Sequence, residues 1–148
     1  MNYLGFVVFL IAALVYIWNG KDSFNKKQWI AFFVKFLAVI VGSFVLVLLL
    51  TGLRKVFPSI TKDTGRQILI LFPLSFATIL FSKFFVVMLC TIFDIIMRFH
   101  KHYNTAENYS KLSLLIRKYG PKMRILAKGL ASFGCILIFY GIWLTTTV

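Results

Sequence analysis

The fold is decided by residues 68–97, ILILFPLSFATILFSKFFVVMLCTIFDIIM, a stretch of 30 residues with only two charged side chains, Lys83 and Asp94. As one helix this stretch would be about 45 Å long, whereas the hydrocarbon core of a membrane is about 30 Å thick. It is therefore either one long helix that continues beyond the bilayer or two half-spans hinged at Ser82 and Lys83. We favour one helix, because each half is too short to cross and a Ser-Lys pair lacks the Gly or Pro of a tight turn.

The rest of the chain is equally apolar. Its 148 residues are 60% hydrophobic and 14% charged, and the mean hydropathy of +0.89 excludes a soluble globular domain. Uncharged or nearly uncharged stretches predict four spans, at residues 3–19, 29–53, 68–93 and 125–146. The predicted fold is an all-α membrane protein in which residues 1–148 form a single four-helix transmembrane domain with up-and-down connectivity.

One sizeable polar segment, residues 98–124, separates the last two predicted spans. Asn104 or Thr105 can end the third helix and cap the next one. Gly120 followed by Pro121 predicts the end of that next helix. Apolar residues recur between these points at helical spacing, which predicts an amphipathic helix lying against a membrane or a protein. The cations expected to contact anionic lipids or an acidic partner are Arg98, Lys101, Lys111, Arg117, Lys118, Lys122 and Arg124.

The distribution of charge predicts the orientation. The chain has 17 Lys and Arg against 4 Asp and Glu, a net charge of +13. Twelve of these cations lie in or beside the loops after the first and third spans, and four lie in the middle loop. The positive-inside rule therefore predicts a cytoplasmic basic segment. Compact loops are typical of bacterial proteins, so we expect a multi-pass protein of the bacterial inner membrane with both termini periplasmic.

Lys83 is the remaining cation and lies near the middle of the third stretch, where an ammonium costs at least about 3 kcal/mol. Asp94 is about 16 Å farther along the helix and is expected to pair with Arg98 instead. The other acids, Asp22, Asp63 and Glu107, fall in loops. We therefore expect that no acid of the same chain reaches Lys83. Two interpretations stay open. In the first, Lys83 contacts a substrate, lipid headgroup or partner. In the second, the first residues of the span lie outside the hydrocarbon core, and the Lys83 side chain extends towards Arg98.

Small residues form a stripe along the fourth span: Ala127, Ala131, Gly134 and Gly141. Ile138 fills the missing step of the 4-3-4-3 spacing. Such residues let two helix backbones approach closely in a membrane. The stripe predicts a helix contact, either within the chain or between two copies of it.

Catalytic, metal and cofactor motifs are absent from the sequence. His100 and His102 are two residues apart, do not share a helix face and have no acidic or thiol ligand nearby at metal-site spacing. We find no Ser-His-Asp grouping, paired carboxylates or phosphate-binding loop, so neither an enzyme nor a cofactor is expected. Nucleic acid is not an expected partner, because the basic segment lies between two spans.

Two functions fit these patterns. The first is an accessory, immunity, exclusion or defence-type subunit that acts by helix-helix association, as a homo-oligomer or within a larger membrane protein complex, and that also contacts anionic phospholipids. The alternative is an oligomeric channel, transporter or lipid flippase in which Lys83 lines a path for anions or headgroups.

Overall fold

The computed structural model describes residues 2–56 and 62–145, and within them all side chains except those of residues 2, 62–64, 106, 112 and 115–117. The all-α prediction is confirmed: every regular element in these ranges is a helix. The elements are α1 (Asn2–Asn19), α2 (Lys26–Val56), α3 (Lys62–Tyr103) and α4 (Ala106–Tyr140), and a π-helical turn (Gly141–Thr145) follows α4.

The stretch that decides the fold is a single helix. The 42 residues of α3 run without a break through Ser82 and Lys83, so the hinged alternative is wrong. The helix ends at Tyr103, and Asn104 and Thr105 separate it from α4, as the sequence predicts. At 1.5 Å per residue α3 is about 63 Å long, roughly twice the thickness of the hydrocarbon core.

Three helical segments are long and apolar enough to cross a membrane: Lys26–Val56, Gly65–Tyr103 and Lys118–Thr145. They correspond to the second, third and fourth predicted spans and are consistent with a multi-pass membrane protein. The apolar helix Tyr3–Asn19, which corresponds to the first predicted span, is shorter.

The predicted end of the amphipathic helix is wrong. Thr105 occupies the N-cap position with an extended backbone, as expected, but α4 continues through Gly120 and Pro121 to Tyr140. The basic segment and the fourth span are therefore one helix. Proline removes one backbone hydrogen bond without stopping a helix whose neighbouring residues are good helix formers, such as Lys122 and Met123.

The core lies where α1, α3 and α4 meet. Phe9 of α1 packs edge-on against Phe72 and Phe76 of α3, with ring centroids 5.6 and 5.4 Å apart, and also contacts Phe139 and Trp143. Together with the Lys83 contact to the other end of α1, these contacts show that α1 runs parallel to α3. The buried cluster comprises Phe9, Ala13, Ile17, Val86, Cys90, Ala131, Cys135, Phe139 and Trp143.

Helix α2 packs on α3 through aromatic side chains. Phe32 stacks on Phe84 with 6.0 Å between centroids, and Phe36 meets Phe81 edge-on at 5.2 Å. The other end of α2 approaches the start of α3, so the two helices are antiparallel. Only Phe32 and Leu50 of α2 are buried, which leaves most of its apolar surface exposed, as lipid contact requires.

Candidate functional site

Lys83 forms an ion pair within its own chain. Its Nζ lies 3.6 Å from Oδ1 of Asp22, which follows the end of α1, and the Lys83 residue is only 1% exposed. The expectation that no acid of the chain reaches Lys83 is wrong. A loop residue can reach it because α1 ends beside the middle of α3, a relationship that distances along one helix do not reveal.

Asp22 also binds Lys128 of α4, with 2.9 Å between Nζ and Oδ1. One carboxylate thus joins two ammonium groups from two helices, and all three side chains are largely buried, with 2%, 19% and 12% exposure for Lys83, Asp22 and Lys128. We call these three residues the charged cluster. Removing one partner of a buried ion pair lowers the free energy of unfolding by more than the pair contributes to it, because the other charge stays buried without a partner.

Backbone carbonyls at the end of α1 complete the charged cluster. Lys83 donates a hydrogen bond of 3.2 Å to the carbonyl oxygen of Ile17, and Lys128 donates one of 3.4 Å to that of Trp18. The last carbonyls of a helix lack partners within it and carry the negative end of the helix dipole, so they favour ammonium groups. Trp18 also donates from its indole nitrogen to Ser132 of α4 at 3.2 Å.

Gly20 permits the close approach of Lys83 to α1. A Cβ at this position would lie 2.8 Å from both Cε and Nζ of Lys83. Any larger residue would push the ammonium group away from Asp22. The sequence contains the signal for this site, since Gly20 and Asp22 directly follow the apolar part of α1, but nothing in the sequence aligns that end with Lys83.

The charged cluster lies at one of two levels along the helices at which cations gather. Lys35 of α2 lies at the same level, because its Nζ is 3.5 Å from the hydroxyl of Tyr16, at the end of α1. Arg66 precedes Lys83 by 17 residues, about 26 Å along α3, and Arg54 follows Lys35 by about 29 Å along α2. Two layers of cations are thus separated by about the thickness of the hydrocarbon core.

Beyond Lys83 and Lys128, α3 and α4 continue as a helical hairpin, residues 84–127, about 30 Å long. Between its two helices lies an apolar groove of about 250 Å³. We call it the hairpin groove. One cation, Arg124, lies beside this groove. The apolar side chains that line it include Leu89, Ile92, Phe93, Ile96, Met123 and Leu126.

The predicted lipid or partner contacts lie on this hairpin. Six of them are exposed: Arg98, Lys101, Lys111, Lys118, Lys122 and Arg124. The side chain of the seventh, Arg117, lies outside the described residues. Lys111 forms an exposed ion pair with Glu107 at 3.1 Å. The predicted pair of Asp94 with Arg98 is not among the ion pairs of the described residues; both side chains line one polar depression beside the loop after α1.

The small-residue stripe is only partly used within the chain. Ala127 and Ala131 are buried, but a Cβ on Gly134 or Gly141 would meet nothing within 4 Å in the described structure. The buried positions of α4 recur every four residues, whereas the predicted stripe alternates steps of four and three, so the line of contact turns away from the two glycines. The residues buried along α4 and its final turn are Ala127, Ala131, Cys135, Phe139 and Trp143.

Gly5 of α1, which is not part of the predicted small-residue stripe, lies close to Trp143. A Cβ there would collide with the ring of Trp143, whose indole nitrogen donates a 2.9 Å hydrogen bond to Ser75. The π-helical turn contains Trp143 and presents its ring inward, towards α1 and α3.

Within residues 2–56 and 62–145, no group of three His, Cys, Asp or Glu side chains could hold a metal ion. No protein-family model, curated protein or solved structure matches this chain. The charged cluster and the hairpin beyond it are the two features of the described residues that bear most directly on function.

Proposed function

We propose that this protein is an accessory membrane subunit that binds a larger membrane protein through its α3–α4 hairpin. The observation that carries the proposal is the length of α3, whose apolar run exceeds the hydrocarbon core by about 15 Å. Exposed apolar surface outside a membrane is characteristic of protein interaction sites. The exposed side chains on this part of α3 include Leu89, Ile92, Ile95, Ile96 and Phe99.

The membrane arrangement in this proposal has four spans. Helix α1 packs along α3 and α4 from Gly5, beside Trp143, to Ile17, beside Lys83, and so lies at the same depth as the three longer helices. Its apolar helix of 17 residues, Tyr3–Asn19, is at the lower limit for a span. The charge distribution then favours a cytoplasmic hairpin and periplasmic termini, in a bacterial inner membrane.

Charge complementarity favours an acidic partner over a second copy of this chain. The hairpin contains seven Lys and Arg residues but only two acids, Asp94 and Glu107. Two such hairpins would repel one another, whereas acidic residues beside an apolar helix would meet both the groove and the surrounding cations. The same cations favour anionic phospholipids where the hairpin leaves the membrane.

The alternative of a channel, transporter or flippase has less support. In that function the Lys83 ammonium would face a path for anions or headgroups. It instead contacts Asp22 and the carbonyl oxygen of Ile17, and is almost fully buried. These contacts favour a structural role, namely fixing the end of α1 to α3.

The test is affinity purification from native membranes in a mild detergent, comparing two triple alanine variants. The first removes groove side chains, Ile92→Ala, Ile96→Ala and Met123→Ala. The matched control removes exposed side chains of α2, Val41→Ala, Val45→Ala and Leu48→Ala. We expect the wild type and the control to retain one larger membrane protein with an acidic surface, and the groove variant to lose it.

Three results would count against the proposal. Equal retention of the partner by the groove variant would show that the hairpin groove is not the contact. Recovery of a homo-oligomer alone would replace the acidic partner by a second copy. Anion or lipid flux in liposomes that disappears in Lys83→Leu, with the fold intact, would favour the transport alternative.

A further inference from the structure

A cleft lies between α1 and α2 on the membrane side of the loop that joins them. Its volume is about 230 Å³, and its polar lining consists of Tyr16, Lys21, Gln28, Lys35 and Lys83. Within the described residues, no acidic side chain lines it. Two exposed lysines, Lys21 and Lys35, and the buried Lys83 therefore line a single small cavity.

The positive charge of this cleft is not neutralised locally. Asp22 does not line the cleft and already binds both Lys83 and Lys128. Lys35 lies over the ring of Tyr16, 5.4 Å from its centroid, and its Nζ is 3.5 Å from the Tyr16 hydroxyl. Lys21 and Lys35 are exposed, whereas Lys83 forms the buried base of the cleft. The two accessible ammonium groups can thus bind an anion directly.

A separate apolar depression of about 370 Å³ lies between α2 and α3, and its lining begins one helical turn after Lys35. On α2 it follows Val39, Gly42 and Leu46, which lie on the same helix face as Lys35 because the steps between them are three or four residues. On α3 it follows Phe72 and Phe76, which lie about three and two turns before Lys83 on the same face. A Cβ on Gly42 would meet nothing within 4 Å, so the depression is open there.

The dimensions fit one leaflet of a bilayer. From Lys35 to Leu46 the distance along α2 is about 17 Å, and half of the hydrocarbon core is about 15 Å. The cationic end lies at the level of the charged cluster, where headgroups lie, and the apolar end lies near the middle of the membrane.

We propose that the cleft between α1 and α2 binds one anionic phospholipid. The phosphate accepts hydrogen bonds from Lys21, Lys35 and the hydroxyl of Tyr16, and an acyl chain lies along Val39, Gly42 and Leu46. The headgroup lies in the cleft between α1 and α2, and the acyl chain lies in the depression between α2 and α3. This site is separate from the hairpin groove, so the two proposals can fail independently.

The experiment is native mass spectrometry of delipidated protein titrated with phosphatidylglycerol or phosphatidylcholine. We expect tighter binding of phosphatidylglycerol, and about tenfold weaker binding for each charge-assisted hydrogen bond removed in Lys21→Gln and Lys35→Gln. Gly42→Leu should block the acyl chain and weaken the binding of both lipids. The matched controls are Lys27→Gln, an exposed cation outside the cleft, and Gly52→Leu, an equally open glycine of α2.

Thermal unfolding followed by circular dichroism separates loss of binding from loss of fold for each variant. Equal affinity for the two lipids would overturn the recognition of charge, and unchanged phosphatidylglycerol binding in Lys21→Gln/Lys35→Gln would overturn the headgroup site. Unchanged binding in folded Gly42→Leu would overturn the acyl site. Competition by inorganic phosphate at equal concentration would show that the cleft recognises free phosphate instead.

Discussion

The ammonium group of Lys83 lies 3.6 Å from the carboxylate of Asp22, although the two residues are 61 positions apart in the sequence. The pair joins the middle of α3 to the end of α1, and Lys128 adds α4 to the same carboxylate. A cation that the sequence isolates in an apolar stretch is thus compensated where three helices meet. This relationship also fixes where the end of α1 lies along α3.

The charged cluster should respond unequally to removal of its members. Asp22→Asn leaves two ammonium groups facing each other, and we expect a loss of about 3–5 kcal/mol in the free energy of unfolding. Lys83→Met leaves Asp22 bound to Lys128 and should cost about 2 kcal/mol. Unfolding in mixed micelles, followed by circular dichroism, gives both values.

The double variant Asp22→Asn/Lys83→Met isolates the interaction between the two residues. Because the second substitution removes a charge that the first left without its partner, the double variant should lose less stability than the two single losses added together. Glu107→Gln, which breaks an ion pair between exposed residues, serves as the control and should change stability by less than about 0.5 kcal/mol. Simple additivity would show that Asp22 and Lys83 do not interact.

Glycine positions should separate close packing from open surface. Gly5→Ala forces the Trp143 ring away and disturbs its hydrogen bond to Ser75, for an expected loss of about 1–3 kcal/mol. Gly134→Ala meets no neighbour and should stabilise α4 by about 0.5–1 kcal/mol through higher helix propensity. The same unfolding assay measures both, and a loss of stability in Gly134→Ala would indicate that the stripe packs against a second copy.

Much of the architecture could be predicted from the sequence, because length and hydropathy act locally. The apolar run of α3 and its end before Asn104 follow from the residues themselves. The contacts of Lys83 could not be predicted, since they depend on where α1 ends relative to α3. The continuity of α4 could not be predicted either. Gly120 and Pro121 form a strong local stop signal, and the neighbouring helix formers override it.

The continuity of α4 can be measured directly. Spin labels at Ser110 and Leu130, which are 20 residues apart on one helix, should lie about 30 Å apart along the axis. Double electron-electron resonance on the double variant Ser110→Cys/Leu130→Cys should give a single narrow distribution of distances near this value. A turn at Gly120 and Pro121 would instead give a markedly shorter distance.

The proposed fourth span predicts the side on which each end of α1 lies. Cysteines introduced as Tyr3→Cys and Lys55→Cys should react with an impermeant maleimide from the periplasmic side of intact cells. Cysteines introduced as Lys21→Cys and Ser110→Cys should react only after the membrane is opened. If Tyr3→Cys reacts from the same side as Lys21→Cys, α1 does not cross the membrane.

The depth of the hairpin groove tests the central claim, that α3 carries apolar surface beyond the hydrocarbon layer for a partner to cover. A spin label at Ile92 is compared with one at Val41 in liposomes, with Cys90 and Cys135 replaced by alanine, and its accessibility to oxygen and to a water-soluble nickel complex is measured. We predict that the label at Ile92 collides mainly with nickel and that at Val41 mainly with oxygen. Oxygen-dominated accessibility at Ile92, equal to that at Val41, would contradict the claim.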